Sequence, residues 1–160
     1  MQFSHLIEIN DPRIGLIDVL TRAQLWRGLV LRTVAPKLFV PHLDDCVISA
    51  RSAARFERTL RYGALAITDV VTLVPQQQIV VTVPGQNDIA PSLLTMTIEE
   101  PQPAALFVRF AYQDGVHVAA DSMEAYYDKF RHSAYQEADI DTIRLIRQIA
   151  QEGRLDTDSD

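Results

Sequence analysis

Residues 120–153 read ADSMEAYYDKFRHSAYQEADIDTIRLIRQIAQEG. Met123, Tyr127, Phe130, Ala134, Ala138, Leu145 and Ile149 recur close to helical periodicity, with Thr142 filling the gap. Asp121 or Ser122 can cap the start, and Glu124 stands at the capping-box offset from Asp121. Neither Pro nor Gly interrupts before Gly153, which suits the position just past a helix C-terminus. The spacing predicts one long helix of roughly 30 residues, about 45 Å in length. Asp139 and Asp141 bring turn and cap character into its middle, so a kink or second start near Asp139 is an open alternative. The apolar stripe widens there to take in Ile140, Ile143 and Ile146.

Upstream of this helix the periodicity changes to two. Phe3 to Ile9 alternates, with Phe3, His5, Ile7 and Ile9 on one face, and Asn10-Asp11-Pro12 ends it with turn chemistry. Ile14 to Leu20 fits either a short helical turn or a loop. Thr21 and Gln24 form a capping box, and the helix they open carries Leu25, Trp26, Leu29, Val30 and Val34 before Pro36 stops it. A loop from Pro36 to Asp45 follows. Six strands are then expected: Cys46–Ala50, Arg55–Tyr62, Leu65–Val74, Gln78–Val83, Leu93–Glu99 and Ala105–Tyr112. The turns between them are short, which antiparallel neighbours allow and parallel neighbours do not. The expected fold is α+β: a curved antiparallel sheet of about seven strands around a long C-terminal helix, in one domain over residues 1–153. Residues 154–160 read as a disordered acidic tail.

Composition narrows the function classes. The chain has 160 residues, 48% of them hydrophobic, and a net charge of −6. That charge, with no basic cluster, argues against a nucleic-acid surface. Cys46 is the only cysteine, so neither an internal disulfide nor a multi-cysteine zinc site is expected. His5, His42, His117 and His132 show no metal-ligand spacing, and no cofactor motif is present. No signal peptide and no apolar run of membrane-spanning length are recognised. The expectation is a soluble cytoplasmic domain, with oligomeric state left open.

The order of one strand, short helices, six strands and a long helix resembles the helix-grip fold of the START/Bet v 1-like superfamily. That superfamily includes polyketide cyclases, aromatases and lipid carriers. Closer resemblance lies in His5-Leu-Ile-Glu-Ile-Asn-Asp-Pro12, Leu20-Thr-Arg-Ala-Gln-Leu-Trp-Arg-Gly-Leu29, Leu38-Phe-Val-Pro41 and Ser133-Ala-Tyr-Gln-Glu-Ala-Asp-Ile-Asp-Thr142. These are similar to a family that includes a protein of the fungal acetylaranotin cluster. That family has no agreed activity, so the resemblance implies a fold and a cavity. The turn near Ser52 lacks the glycine-rich loop of plant members.

Strand parity selects the side chains that would see such a cavity. On Arg55–Tyr62, Phe56, Leu60 and Tyr62 share a face with Arg58; on Leu65–Val74, Ile67, Val71 and Leu73 share one with Asp69. A hairpin centred on Gly63-Ala64 sets Arg58 opposite Asp69, and pairing is the cheapest way to bury two charges. The pair reads either as a register-fixing salt bridge or as a polar anchor for a ligand's oxygen. Further inward positions include Val81, Met96, Phe110 and Tyr112. Tyr127 on the long helix and Trp26 on the short one complete an expected cavity wall, with ordinary core packing as the alternative for each. The candidate ligand contacts are therefore Trp26, Phe56, Arg58, Tyr62, Asp69, Val81, Met96, Phe110, Tyr112 and Tyr127. The expected partner is a small apolar or aromatic molecule. A cyclase-like catalyst, with Arg58 polarising a carbonyl and Asp69 or a tyrosine moving a proton, is one alternative. A protein-interaction module with a filled core is another.

Overall fold

The computed structural model describes residues 2–14, 19–115 and 122–157. Seven strands form one antiparallel sheet: β1 (Gln2–Glu8), β2 (Asp45–Ser49), β3 (Arg55–Tyr62), β4 (Leu65–Val74), β5 (Gln78–Val83), β6 (Ser92–Gln102) and β7 (Ala105–Asp114). They pair in the order β1-β7-β6-β5-β4-β3-β2. The last six make a meander, and the first strand returns beside the last. Helix α1 (Arg22–Val34) and a short 3₁₀ turn (Pro36–Leu38) connect β1 to β2, and α2 (Met123–Gln151) follows β7. This is the helix-grip arrangement expected from the sequence.

Alternation along each strand builds the concave face. One row across the sheet runs Phe56, Val71, Val81, Leu94, Tyr112, Phe3; the next runs Leu73, Ile79, Met96, Phe110, His5. Ile79, Met96 and Phe110 of the second row lie in the main core with Leu25, Trp26 and Leu29 of α1 and Ile143, Ile146 and Ile149 of α2. Positive backbone φ at Gly63, where a residue without Cβ adopts it at no cost, tightens the β3–β4 hairpin.

Helix α1 begins with the expected capping box: the Gln24 amide donates to Thr21 Oγ1, and the Thr21 amide donates to the Gln24 side chain. It crosses α2 closely at Gly28, where a Cβ would stand 2.5 Å from Cγ2 of the buried Ile146. Helix α2 runs unbroken for 29 residues, so the alternative of a second start near Asp139 is not realised. Ser122 caps it; the competing cap, Asp121, lies outside the described residues. Most of the ambiguous stretch before Leu20 also lies outside them, at residues 15–18.

The expected tail boundary is corrected. After the turn at Gly153, Leu155 returns into the core with its side chain fully buried. Arg27 Nη1 donates to the Leu155 carbonyl at 3.0 Å, and Gln24 Nε2 donates to Asp156 Oδ1 at 3.3 Å. Acidic composition suggested solvent, yet a single large apolar side chain within reach of α1 suffices to hold the segment. Among the described residues, no helix is long and apolar enough to cross a membrane, and no His/Cys/Asp/Glu group could hold a metal ion.

Candidate functional site

The β3–β4 hairpin delivers Arg58 and Asp69 directly opposite each other, as the sequence reading expected. Arg58 Nε donates to Asp69 Oδ1 at 2.9 Å and Nη2 to Oδ2 at 2.6 Å, a bidentate fork. The third nitrogen, Nη1, donates to the Thr33 carbonyl at 3.0 Å. That carbonyl belongs to the last turn of α1, where backbone acceptors lack helical partners and the helix end favours a cation. The pair therefore locks three elements: β3, β4 and the end of α1. Both side chains are buried, 8% and 2% exposed.

A second buried polar cluster escaped the sequence reading. Asp139 on α2 is fully buried. His5 Nε2 lies 2.7 Å from Asp139 Oδ2, and the Tyr112 hydroxyl donates to both carboxylate oxygens at 2.7–2.8 Å. Burial raises the Asp139 pKa above the ordinary carboxylate value, although the bonds from His5 and Tyr112 pull the other way. The same burial, with the carboxylate beside it, pushes the Tyr112 phenol far above its usual range. Tyr112 also stacks on Tyr135 of α2, and Phe3 stacks on His132 of α2, yet Phe3 and Tyr112 both stay half-buried.

Between the two clusters stands Arg32, on the last turn of α1. Its Nε is 3.4 Å from Thr142 Oγ1 and its Nη1 is 3.9 Å from Met96 Sδ. Arg32 forms no ion pair with a carboxylate of the described residues, yet Asp139, Tyr112 and Tyr62 all feel its charge.

Both missed residues carried a positional signal. Arg32 follows Leu25 and Leu29 at offsets of seven and three, and Asp139 precedes Ile143 and Ile146 at four and seven. Each therefore shares a face with buried apolar residues.

The concave face is uneven. Phe56, Val71, Ile79, Met96 and Phe110 are closed off completely beneath the two helices. Toward the β3–β4 hairpin and the start of β6, the inward residues Tyr62, Ile67, Val83, Leu94 and Tyr112 remain half-buried. Helix α2 explains the difference. Its second half buries Thr142, Ile143, Ile146 and Ile149, whereas in its first half only Asp128 is buried. Burial raises the Tyr62 phenol pKa, with the Arg58 charge opposing.

The expected site residues thus divide. Arg58 and Asp69 form the buried fork, and Tyr62 and Tyr112 stay half-buried on the concave face. Phe56, Val81, Met96 and Phe110 belong to the packed core, so the alternative of ordinary packing holds for them. Trp26 lines a different cleft of about 460 Å³, between α1 and Ile48 and Leu73 of the sheet. Tyr127 is 59% exposed, alongside Met123 and Phe130, so its expected place in the cavity wall is corrected. These three sit roughly 100–180° around the helix from the buried line through Asp128, Asp139 and Ile146. Two apolar lines coexist on α2, and the one with more aromatic residues faces outward.

Several solved structures share this architecture. The di-domain aromatase/cyclase StfQ of the steffimycin biosynthetic pathway superposes with a TM-score of 0.65 at 10% identity, over 94% of this chain and 51% of that one. The chain therefore spans about half of that protein's length. Zhui aromatase/cyclase from Streptomyces sp. R1128 gives 0.62 at 10% identity, over 94% and 93%. Ara h 8.0201 gives 0.61 at 8% identity, over 91% and 97%. At such identities the likeness concerns the fold. None of the curated proteins matches the chain in sequence. The family model described as acetylaranotin biosynthesis cluster protein L matches residues 7–153. Since that match covers nearly the whole chain, this protein belongs to the acetylaranotin biosynthesis cluster protein L family.

Proposed function

We propose that the chain binds a small, mainly apolar or aromatic organic molecule on the open half of its concave face, against Tyr62, Ile67, Val83, Leu94 and Tyr112. The observation that carries this reading is the uneven burial of one continuous apolar surface. Strand alternation aims these side chains into the concavity like their neighbours, yet α2 leaves them half-buried. An apolar wall with a few fixed polar groups is the usual make-up of a small-molecule site. Here the polar groups are the Tyr62 and Tyr112 hydroxyls and the Arg32 guanidinium. The likeness to aromatase/cyclase structures supports the aromatic character of the ligand by fold analogy alone. Binding without turnover is favoured over a cyclase-like reaction, because the Arg58 fork is closed on Asp69 and Thr33 and not free to polarise a carbonyl.

The test is a fluorescence titration with N-phenylnaphthylamine, an uncharged apolar probe. Wild type should bind it saturably. Ile67→Arg and Val83→Arg should abolish binding while keeping a cooperative melt, since neither residue belongs to the packed core. Absence of saturable binding, or undiminished binding in both variants, contradicts the proposal.

A further inference from the structure

We propose that Arg32 anchors the ligand and that the ligand accordingly carries an anionic oxygen, such as a carboxylate, enolate or phenolate, beside its apolar body. This rests on the binding reading above and names the chemistry of the same site. Arginine side chains facing the interior are ordinarily satisfied by carboxylates, as Arg58 is here by a bidentate fork. Arg32 has no such partner among the described residues. Its two polar contacts, 3.4 Å to a threonine hydroxyl and 3.9 Å to a thioether, are longer than a guanidinium accepts when better acceptors are present. The Thr142 hydroxyl itself donates to the Ala138 carbonyl at 3.0 Å, which turns its lone pairs toward Arg32.

The nearby carboxylates do not supply the missing acceptor. Asp139 is taken by Tyr112 and His5, and Asp69 by Arg58. A guanidinium presents five donors in a planar fork, so most of Arg32's capacity is left for an incoming oxyanion. Placement agrees with this role. Arg32 reaches over Met96, at the floor of the closed core, and its charge is felt at Tyr62 and Tyr112 on the open half. The apolar body would rest on Ile67, Val83 and Leu94, with the acidic end directed at α1. A neutral hydrocarbon would leave the guanidinium as underused as it is now, so affinity should follow charge.

The experiment compares two probes of similar ring system: anilinonaphthalene sulfonate, which is anionic, and N-phenylnaphthylamine, which is neutral. Wild type should bind the anion more tightly than the neutral probe, with a salt dependence confined to the anion. Arg32→Met should lose roughly ten- to hundredfold in affinity for the sulfonate and little for the neutral probe. Arg51→Met serves as control, because Arg51 lines the separate Trp26 cleft. Should Arg32→Met fail to melt cooperatively, Arg32→Gln and the salt titration of wild type decide in its place. Equal loss of both probes, no loss of either, or sulfonate loss in Arg51→Met instead, overturns the anchor and leaves the binding reading standing. Failure of wild type to bind either probe removes the binding reading and the anchor together.

Discussion

Arg58 directs three nitrogens at three oxygens of Asp69 and Thr33, and removing either charge strands the other in a buried place. Arg58→Met or Asp69→Leu should each cost about 3–5 kcal/mol. The double variant should recover much of that, because no charge is then left unpaired. Urea denaturation of the three variants would show it; near-neutral single changes would mean that the pair holds nothing together. Asp139 invites a different test. Its carboxyl keeps a proton more readily folded than unfolded, since burial outweighs its two bonds. A proton held more tightly in the folded state means that stability declines as pH rises through the interval between the two pKa values. That decline starts at about pH 4, the ordinary carboxylate value. Asp139→Asn retains an acceptor for Tyr112 and removes the titration. Relative to this variant, wild type should therefore lose urea resistance as pH climbs above about 4. A relative gain over that range would contradict the burial argument. Legibility at this scale followed geometry. Strand parity and a two-residue turn determine which residue faces which, so Arg58 and Asp69 could be paired from the chain alone. Asp139 meets His5 across 134 residues and Tyr112 across 27, between a helix and two strands, and no local pattern encodes that meeting.

Among elements, the α1–α2 crossing and the end of the chain are the most exposed to test. Gly28 admits Ile146 where a Cβ would stand 2.5 Å from a methyl carbon that has nowhere to move. Gly28→Ala should destabilise by about 1–3 kcal/mol despite its better helix propensity. Adding Ile146→Ala should then cost less than it does in wild type, the mark of coupled neighbours. Additive costs would mean that the helices do not meet there. Leu155→Ala should cost about 2–5 kcal/mol, as expected for a fully buried leucine and not for a tail. A neutral Leu155→Ala in thermal melts would return the segment to solvent. The strands were largely legible because alternation and turn residues agree along β3, β4, β5 and β7. Helix α2 was legible in extent but only half legible in orientation. Ile149 faces inward as expected, yet Met123, Tyr127 and Phe130 face outward. Apolar periodicity identifies a helix; it does not rank two apolar lines when the buried one contains Asp128, His132, Asp139 and Thr142.

At the scale of the whole molecule, one helix grips one curved sheet over only part of its length. The gripped part is a core that closes over Met96 and Phe110. The ungripped part keeps an apolar wall half open beside Arg32, Tyr62 and Tyr112. The family match and the shared fold of StfQ, Zhui and Ara h 8.0201 agree with this architecture. The most direct measurement of the ligand-binding reading is methyl and aromatic NMR of the full chain during titration with N-phenylnaphthylamine. Saturable shifts should concentrate at Tyr62, Ile67, Val83, Leu94 and Tyr112, with Phe56, Met96 and Phe110 little changed. Shifts centred instead on Trp26, Val30 and Leu73, or no saturable shifts at all, would contradict it.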